Sequence, residues 1–355
     1  MNERERINKI YSQIKQQGID GLLLSLPANI TYVTGHLSRD SWLLLLRNGG
    51  IYITDSRYTE EAKKSLKGSF IVTQSQSSLS DTVAAVIKEL RIKRLGFEEK
   101  YLTTYAYQKL NSKLPKTTVL TPTQGIIESF REIKSPQEIK KIKKATQIAV
   151  KALKFIKKHI VPGAKEVEIA GEIERFIRYN GAQGASFEII VASGPNSSYP
   201  HHKTSYRKIC RNEPVLIDMG VEYRGYKSDL TRVFFSGRIN PLVRKVYDIV
   251  AQAQELAIKA IKPAARMNKI DLAARQYIIQ KGYGGFFSHS LGHGVGLEIH
   301  ESPRISPKES RRLKEGMVFT VEPAVYIPGE FGIRIEDLVV VTKKGAGVLS
   351  VTLDK

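Results

Sequence analysis

Apolar residues recur with two different periods along this chain, and the change between them separates helices from strands. Ile7, Ile10 and Ile14 recur at helical spacing and Gly18 closes the run, which predicts an N-terminal helix. GLLLSL from Gly21 is a short buried strand. WLLLL from Trp42 and GIYIT from Gly50 read as paired strands, with Asn48-Gly49 as the turn between them. A helix over 59–66, a strand at FIVTQ, a helix over 79–90, a strand at RLGFE and a helix at TYAYQKLNSKL follow. This alternation predicts an α/β domain ending near Leu120.

Pro122, Gly125 and Pro136 then break the pattern, so the expected domains are 1–122 and 123–355. SPQE at 135–138 is a helix start, with Ser as N-cap, Pro at the first helical position and Glu at the third. The helix it opens carries Ile139, Ile142, Ile148, Leu153 and Ile156 and runs to about His159. Another helix is expected over 167–179, and two more over 241–261 and 269–281. Between and after them the period is that of strands, at FEIIVAS, PVLIDMG, KSDLTRVFFSG, MVFTVEPAVYI and IRIEDLVVV. Strand runs grouped apart from helices predict an α+β second domain.

Composition narrows the class. The 355 residues are 41% hydrophobic and 26% charged, which excludes a disordered chain and leaves ample material for a core. A single cysteine, Cys210, forbids an intrachain disulfide and makes a cytoplasmic protein the expectation. No apolar run approaches the ~20 residues of a membrane helix, and MNERERINKI has no following apolar segment, so neither membrane nor secretory leader is expected. The net charge of +21 is spread over both domains. No nucleic-acid motif accompanies it, so clusters such as Lys140, Lys141, Lys143 and Lys144 read as a solvated helix face rather than a nucleic-acid site.

Chemistry enters through acids in places where acids are costly. Asp218, Asp229, Glu322 and Glu336 all lie in strand-like apolar runs, and buried carboxylates need cations or metals. A hairpin centred between Tyr223 and Arg224 would put Asp218 opposite Asp229. A hairpin centred on Gly329 would put Glu322 opposite Glu336. Like charges facing one another destabilise a ladder, so two such pairs call for divalent cations between them. HSLGHGVGLEIHE adds His289, His293, His300 and Glu301. Imidazole with carboxylates and no thiolate suits Mn, Fe, Co or Zn in a catalytic site. Two metals sharing a water would give a hydroxide near neutral pH, suited to amide hydrolysis. GHGVG by itself lacks the setting of a dinucleotide loop, and neither a G-x-S-x-G elbow nor a GKS/GKT loop is present.

SFEIIVASGPNSSYPHH, VLIDMGVEYRGYKSDLTRVFF, HSLGHGVGLEIHESP and GMVFTVEPAVYIPGEFGIRIEDLVVV resemble the pita-bread metallopeptidases of the Xaa-Pro branch, the aminopeptidase P and prolidase group. ANITYVTG and TDSRYTEEA resemble the smaller creatinase-type domain of that family. The resemblance implies an α/β creatinase-like domain followed by an α+β pita-bread metallopeptidase domain. It implies a dinuclear centre held by Asp218, Asp229, His293, Glu322 and Glu336, with Asp229 and Glu336 bridging. Mn(II) is the first expectation, with Co(II), Fe(II) and Zn(II) as alternatives. Glu322 would also assist transfer of a proton from the bridging water toward the leaving amine. His201, on the substrate side, and His300, near the scissile carbonyl, would bind or polarise the substrate, with His202 adjacent as a rival for the place of His201, and Arg334 would hold a ligand carboxylate. The implied substrates are peptides with proline second, and a homodimer is expected. The alternative is a catalytically silent pita-bread protein whose basic surface binds nucleic acid or a protein partner.

Overall fold

The computed structural model describes residues 3–66 and 68–351, and these divide into two compact units between Arg131 and Glu132. In the first unit the chain runs α1 (Glu3–Gln16), β1 (Gly21–Leu24), α2 (Pro27–Thr34), β2 (Ser41–Leu46), β3 (Gly49–Thr54), α3 (Ser56–Ser65), β4 (Phe70–Gln74), α4 (Leu79–Glu89), β5 (Arg94–Glu98), α5 (Thr104–Asn111), β6 (Val119–Thr123) and α6 (Ile126–Arg131). The strands form one sheet in the order β4-β3-β2-β1-β5-β6. Only the β2 pairings, to β1 and β3, are antiparallel, so the predicted α/β class describes the unit.

Three local readings change. Leu46 pairs with Gly49, so Arg47-Asn48 make the turn and the buried faces of β2 and β3 set the register over the Asn-Gly preference. The helix α2 buries Asn29, Ile30, Tyr32, Val33 and Thr34. A helix buried nearly all round shows no amphipathic period, which is why its pattern is silent. Pro122, a breaker by residue type at the expected boundary of 122/123, lies inside β6 opposite Phe97. The strand β6 is at the sheet's edge, where a residue without N–H is tolerated.

The second unit opens with α7 (Pro136–Ile156), capped as its sequence predicts: Ser135 and Glu138 bond reciprocally around Pro136. It continues with α8 (Glu166–Tyr179), β7 (Gly184–Ala185), β8 (Ile190–Ser193), β9 (Pro214–Met219), β10 (Val221–Tyr223), β11 (Tyr226–Lys227) and β12 (Leu230–Phe235). Then come α9 (Pro241–Ala260), α10 (Met267–Gln280), β13 (Gly292–Gly294), β14 (Glu301–Ile305), β15 (Val318–Val321), β16 (Ala324–Ile327), β17 (Phe331–Arg334), β18 (Asp337–Thr342) and β19 (Gly345–Val348).

Two cores lie on opposite faces of β9. Val215, Ile217 and Met219 pack with Ile148, Leu153 and Ile156 of α7 and Ile169, Ile173 and Ile177 of α8. Leu216, from the other face, packs with Val246 and Val250 of α9 and with Phe319, Val321 and Ile333. Side chains alternate along a strand, so Asp218 shares its face with Leu216 and is turned into the second layer. This places an acid at the end of a buried row that is otherwise apolar. Replacing Ile173 by Ala, at a fully buried position, is expected to cost about 2–5 kcal/mol, read as a lower urea midpoint at unchanged slope.

Candidate metal centre

Asp229, Glu322 and Glu336 occupy places where ladder pairing is interrupted, whereas Asp218 stays in the ladder between Ile190 and Thr231. Val321 pairs with Asp337, and Ala324 with Arg334, so one continuous register puts Glu322 opposite Glu336, as the sequence predicts. The two do not pair through their backbones. The Glu322 N–H donates to Leu291 O at 2.8 Å and the Glu336 N–H to Thr231 O at 3.2 Å. The side-chain amide of Gln254, buried on α9, donates to both freed carbonyls, Val321 O and Ile335 O, at 3.2 Å each. The break thus turns two carboxylates out of the ladder and ties them to the neighbouring strands.

The first hairpin differs from expectation. Tyr223 pairs with Tyr226 and Asp218 with Thr231, so the centre lies between Arg224 and Gly225. Arg224 and Gly225 both have positive φ, 50° and 78°, the geometry of a two-residue hairpin turn that favours Gly in second place. The shift is by two residues in the pairing and therefore keeps Asp218 and Asp229 on one face, diagonal rather than opposed. Asp229 lies in the gap between β11 and β12, two residues before Thr231.

His293 comes from β13, where the pairing with β14 shifts register between His293 and Gly294. A bulge of this kind re-aims a side chain. The flanking glycines are there for close approach: a Cβ on Gly292 would lie 1.9 Å from Thr320 O, and one on Gly294 2.3 Å from Ser302 O. The GHG run is therefore a strand crossing and not a phosphate cradle.

The donors converge. Ligand atoms of Asp229, His293 and Glu336 all lie within 4.8 Å of one another. His293 Nε2 is 3.3 Å from Glu322 Oε1 and 3.5 Å from Asp229 Oδ2. Its Nδ1 lies 3.2 Å from Gly294 O, which can only accept, so Nδ1 carries the proton and Nε2 presents a lone pair to the carboxylates. Burial pushes the imidazole pKa down, so a second proton is disfavoured. Arg334 donates to Asp218 Oδ2 at 2.6 Å, to Thr231 Oγ1 at 3.0 Å and to Tyr326 OH at 2.6 Å. Thr231 Oγ1 donates in turn to Glu336 Oε2 at 2.6 Å, and Thr320 Oγ1 to Glu322 Oε1 at 3.0 Å.

Charge does not balance within these residues. Burial first, and then the neighbouring carboxylates, raise Asp229 and Glu336 well above the usual range; burial also raises Glu322. Asp218 Oδ1 and Asp229 Oδ1 are buried and accept no hydrogen bond among the described residues. Two carboxylates within 4.8 Å repel by about 3–4 kcal/mol even at an effective dielectric of about 20. One guanidinium cannot offset four acids. Orphaned oxygens, a bare imidazole nitrogen and excess negative charge together fit divalent cations with O and N ligands.

Around this centre lie the other histidines. His300 stacks edge-on against His293, with ring centroids 4.2 Å apart. Burial, then His293 and His201, push its pKa down to about 4, so it is neutral at physiological pH. His201 is exposed, one residue beyond Pro200, whose carbonyl accepts from Arg334 at 3.3 Å. His202 points elsewhere: its Nε2 is 2.9 Å from Glu166 Oε2, a fully buried carboxylate. His289, noted in the sequence without a role, reaches Tyr326 OH at 3.3 Å through Nε2, and its Nδ1 is 4.0 Å from Glu322. Thr231, Thr320, Tyr326, Gln254 and Glu166 are not singled out by sequence pattern. Thr231 was recoverable, because the correct hairpin register places it opposite Asp218. Gln254 and Glu166 belong to helices distant in sequence and carried no signal.

Comparison with known proteins agrees with this architecture over both units. The model of Metallopeptidase family M24 matches residues 140–343, and that of the Creatinase/Prolidase N-terminal domain matches residues 6–133. The Xaa-Pro dipeptidase of Pyrococcus furiosus is 36% identical over 98% of both chains. Among solved structures, the Xaa-Pro dipeptidase from Bacillus anthracis matches with a TM-score of 0.95 and 38% identity, over 100% of this chain and 99% of that one. The X-Pro aminopeptidase from Thermotoga maritima matches with a TM-score of 0.88 and 36% identity, over 95% and 97%.

The raised carboxylates set the pH dependence of the metal-stripped protein. A folded-state pKa above the unfolded value of about 3.9 contributes stability that is present below that value and lost as pH rises through the folded pKa. Asp229→Asn removes this titration. In chelator, the variant is therefore expected to gain stability relative to the parent as pH rises from about 4 to 8, measured by urea unfolding. A gap that narrows with pH would contradict the assignment.

Proposed function

The chain belongs to metallopeptidase family M24, and on that premise we propose that it hydrolyses the bond between a first residue and a following proline. The carrying observation is the convergence of Asp229, His293 and Glu336, with Glu322 against His293 and orphaned oxygens on Asp218 and Asp229. Asp218, Asp229, His293, Glu322 and Glu336 would hold two divalent cations, Mn(II) first among them because oxygen donors dominate. Such cations would supply Lewis acidity, lowering the pKa of a water and polarising the substrate carbonyl. The names of relatives support an Xaa-Pro dipeptide as the first substrate to try, with longer Xaa-Pro peptides as the alternative.

The chain's own residues supply the remaining steps. The Xaa-Pro bond is a tertiary amide with no N–H, so recognition must come from the carbonyl and the ring. His300, held neutral, can donate a ring N–H toward the carbonyl oxygen as negative charge develops on it. His201, exposed and next to Pro200, would bind the substrate. The leaving prolyl nitrogen must acquire a proton. Glu322 is the natural carrier, since its raised pKa brings it nearer neutrality and its side chain is the most exposed of the acids around His293. Arg334, clamped by Thr231 and Tyr326, fixes the Asp218 carboxylate by donating to its Oδ2 at 2.6 Å.

Free alanine released from Ala-Pro and from Ala-Pro-Ala by metal-stripped protein, before and after Mn(II), tests the proposal and separates the two substrate lengths. Chelator-sensitive release is expected. Release from neither peptide with Mn(II), Co(II), Fe(II) or Zn(II) would transfer the weight to the binding-protein alternative. Glu336→Ala is expected to abolish turnover. His300→Ala should lower kcat by about 100- to 1,000-fold while metal binding, followed calorimetrically, is retained.

A further inference from the structure

Glu166 opens α8, far in sequence from every residue given a role above, yet its carboxylate is fully buried and accepts six hydrogen bonds from a single loop. Oε1 takes Ser193 N at 2.8 Å, Ser193 Oγ at 2.7 Å and Asn196 Nδ2 at 2.9 Å. Oε2 takes Ser205 N at 3.1 Å, Ser205 Oγ at 2.6 Å and the His202 ring at 2.9 Å. The loop between these anchors carries Pro200, held by Arg334, and His201, which is exposed.

Two adjacent histidines in one loop are chemically equivalent until something tells them apart. We infer that Glu166 is a positioning residue that makes this distinction: by binding the His202 ring it draws that side chain into the loop's anchor and leaves His201 as the histidine presented to the metal site. The inference deepens the proposed function and rests on it. A carboxylate is required because the donors include backbone N–H groups on both oxygens. In Glu166→Gln the amide nitrogen would face either Ser193 N–H or Ser205 N–H, and neither can accept. The loop would then lose one anchor whichever way the amide turned.

The deciding experiment has one arm independent of activity. Carbethoxylation of the full chain, mapped by tandem mass spectrometry, should modify His201 and spare His202 in the parent. In Glu166→Gln, His202 should become modified several-fold faster. Equal modification of both histidines in the parent overturns the inference, and this arm stands even if no Xaa-Pro peptide is cleaved. The kinetic arm uses Ala-Pro with Mn(II). Glu166→Gln should lower kcat by about 10- to 100-fold, with metal affinity unchanged, as expected when a catalytic group is displaced by about an ångström. In a His201→Ala background the same change should add little, because its effect is routed through His201. Full additivity of the two losses would reduce Glu166 to a general structural role and overturn the inference. His202→Gln, which can still donate to Glu166, should keep kcat within a few-fold of the parent, whereas His202→Ala should not. Equal loss in both would make the imidazole of His202 itself the working group.

Discussion

Mutual repulsion among Asp218, Asp229, Glu322 and Glu336 is the constraint on which the rest of the second unit depends. Each acid lies in or beside a strand whose neighbours are fully buried, such as Ile217, Val321 and Ile335. A few kcal/mol of repulsion per close pair is a large fraction of the 5–15 kcal/mol by which a typical domain is stable. The fold can therefore hold these groups only if protons or cations neutralise them. The raised pKa values of Asp229, Glu322 and Glu336 describe the first state, and the buried oxygens of Asp218 and Asp229 that accept no hydrogen bond among the described residues are compatible with the second.

The surrounding structure is organised to keep the acids apart from one another yet aimed at one point. The ladder breaks at Glu322 and Glu336, their N–H groups are passed to Leu291 and Thr231, and Gln254 closes the gap left behind. Below them Arg232 donates to Glu336 O at 2.6 Å and to Asp337 at 2.6 Å, a buried ion pair joining β12 to β18. The segment before His293 is fixed in the same manner. Arg275 and Asp271 form a two-pronged pair, and Arg275 also donates to the carbonyls of Phe287 and His289. The segment after His300 is fixed by Lys134, whose buried ammonium is 2.8 Å from Glu301. Buried ion pairs add little net stability, but breaking one is costly, so each holds its loop in a single place.

The sequence by itself determined the class of each unit, the acids that burial makes costly and one of the two registers. The alternation in 1–122 and the grouped strands beyond it follow from periodicity alone, and carboxylates inside apolar runs announce themselves because burial makes them expensive. The pairing of Glu322 with Glu336 was legible because the turn at Pro328-Gly329-Glu330 is unambiguous. The pairing of Asp218 was not, since two adjacent two-residue turns compete there and only the positive φ of Arg224 and Gly225 decides between them. Tertiary structure alone decided which of two adjacent histidines is drawn inward. It also brought Gln254, Glu166 and Lys134 to loops tens to hundreds of residues away. Those contacts join elements that share no local period or turn, so no window of sequence contains the information that places them.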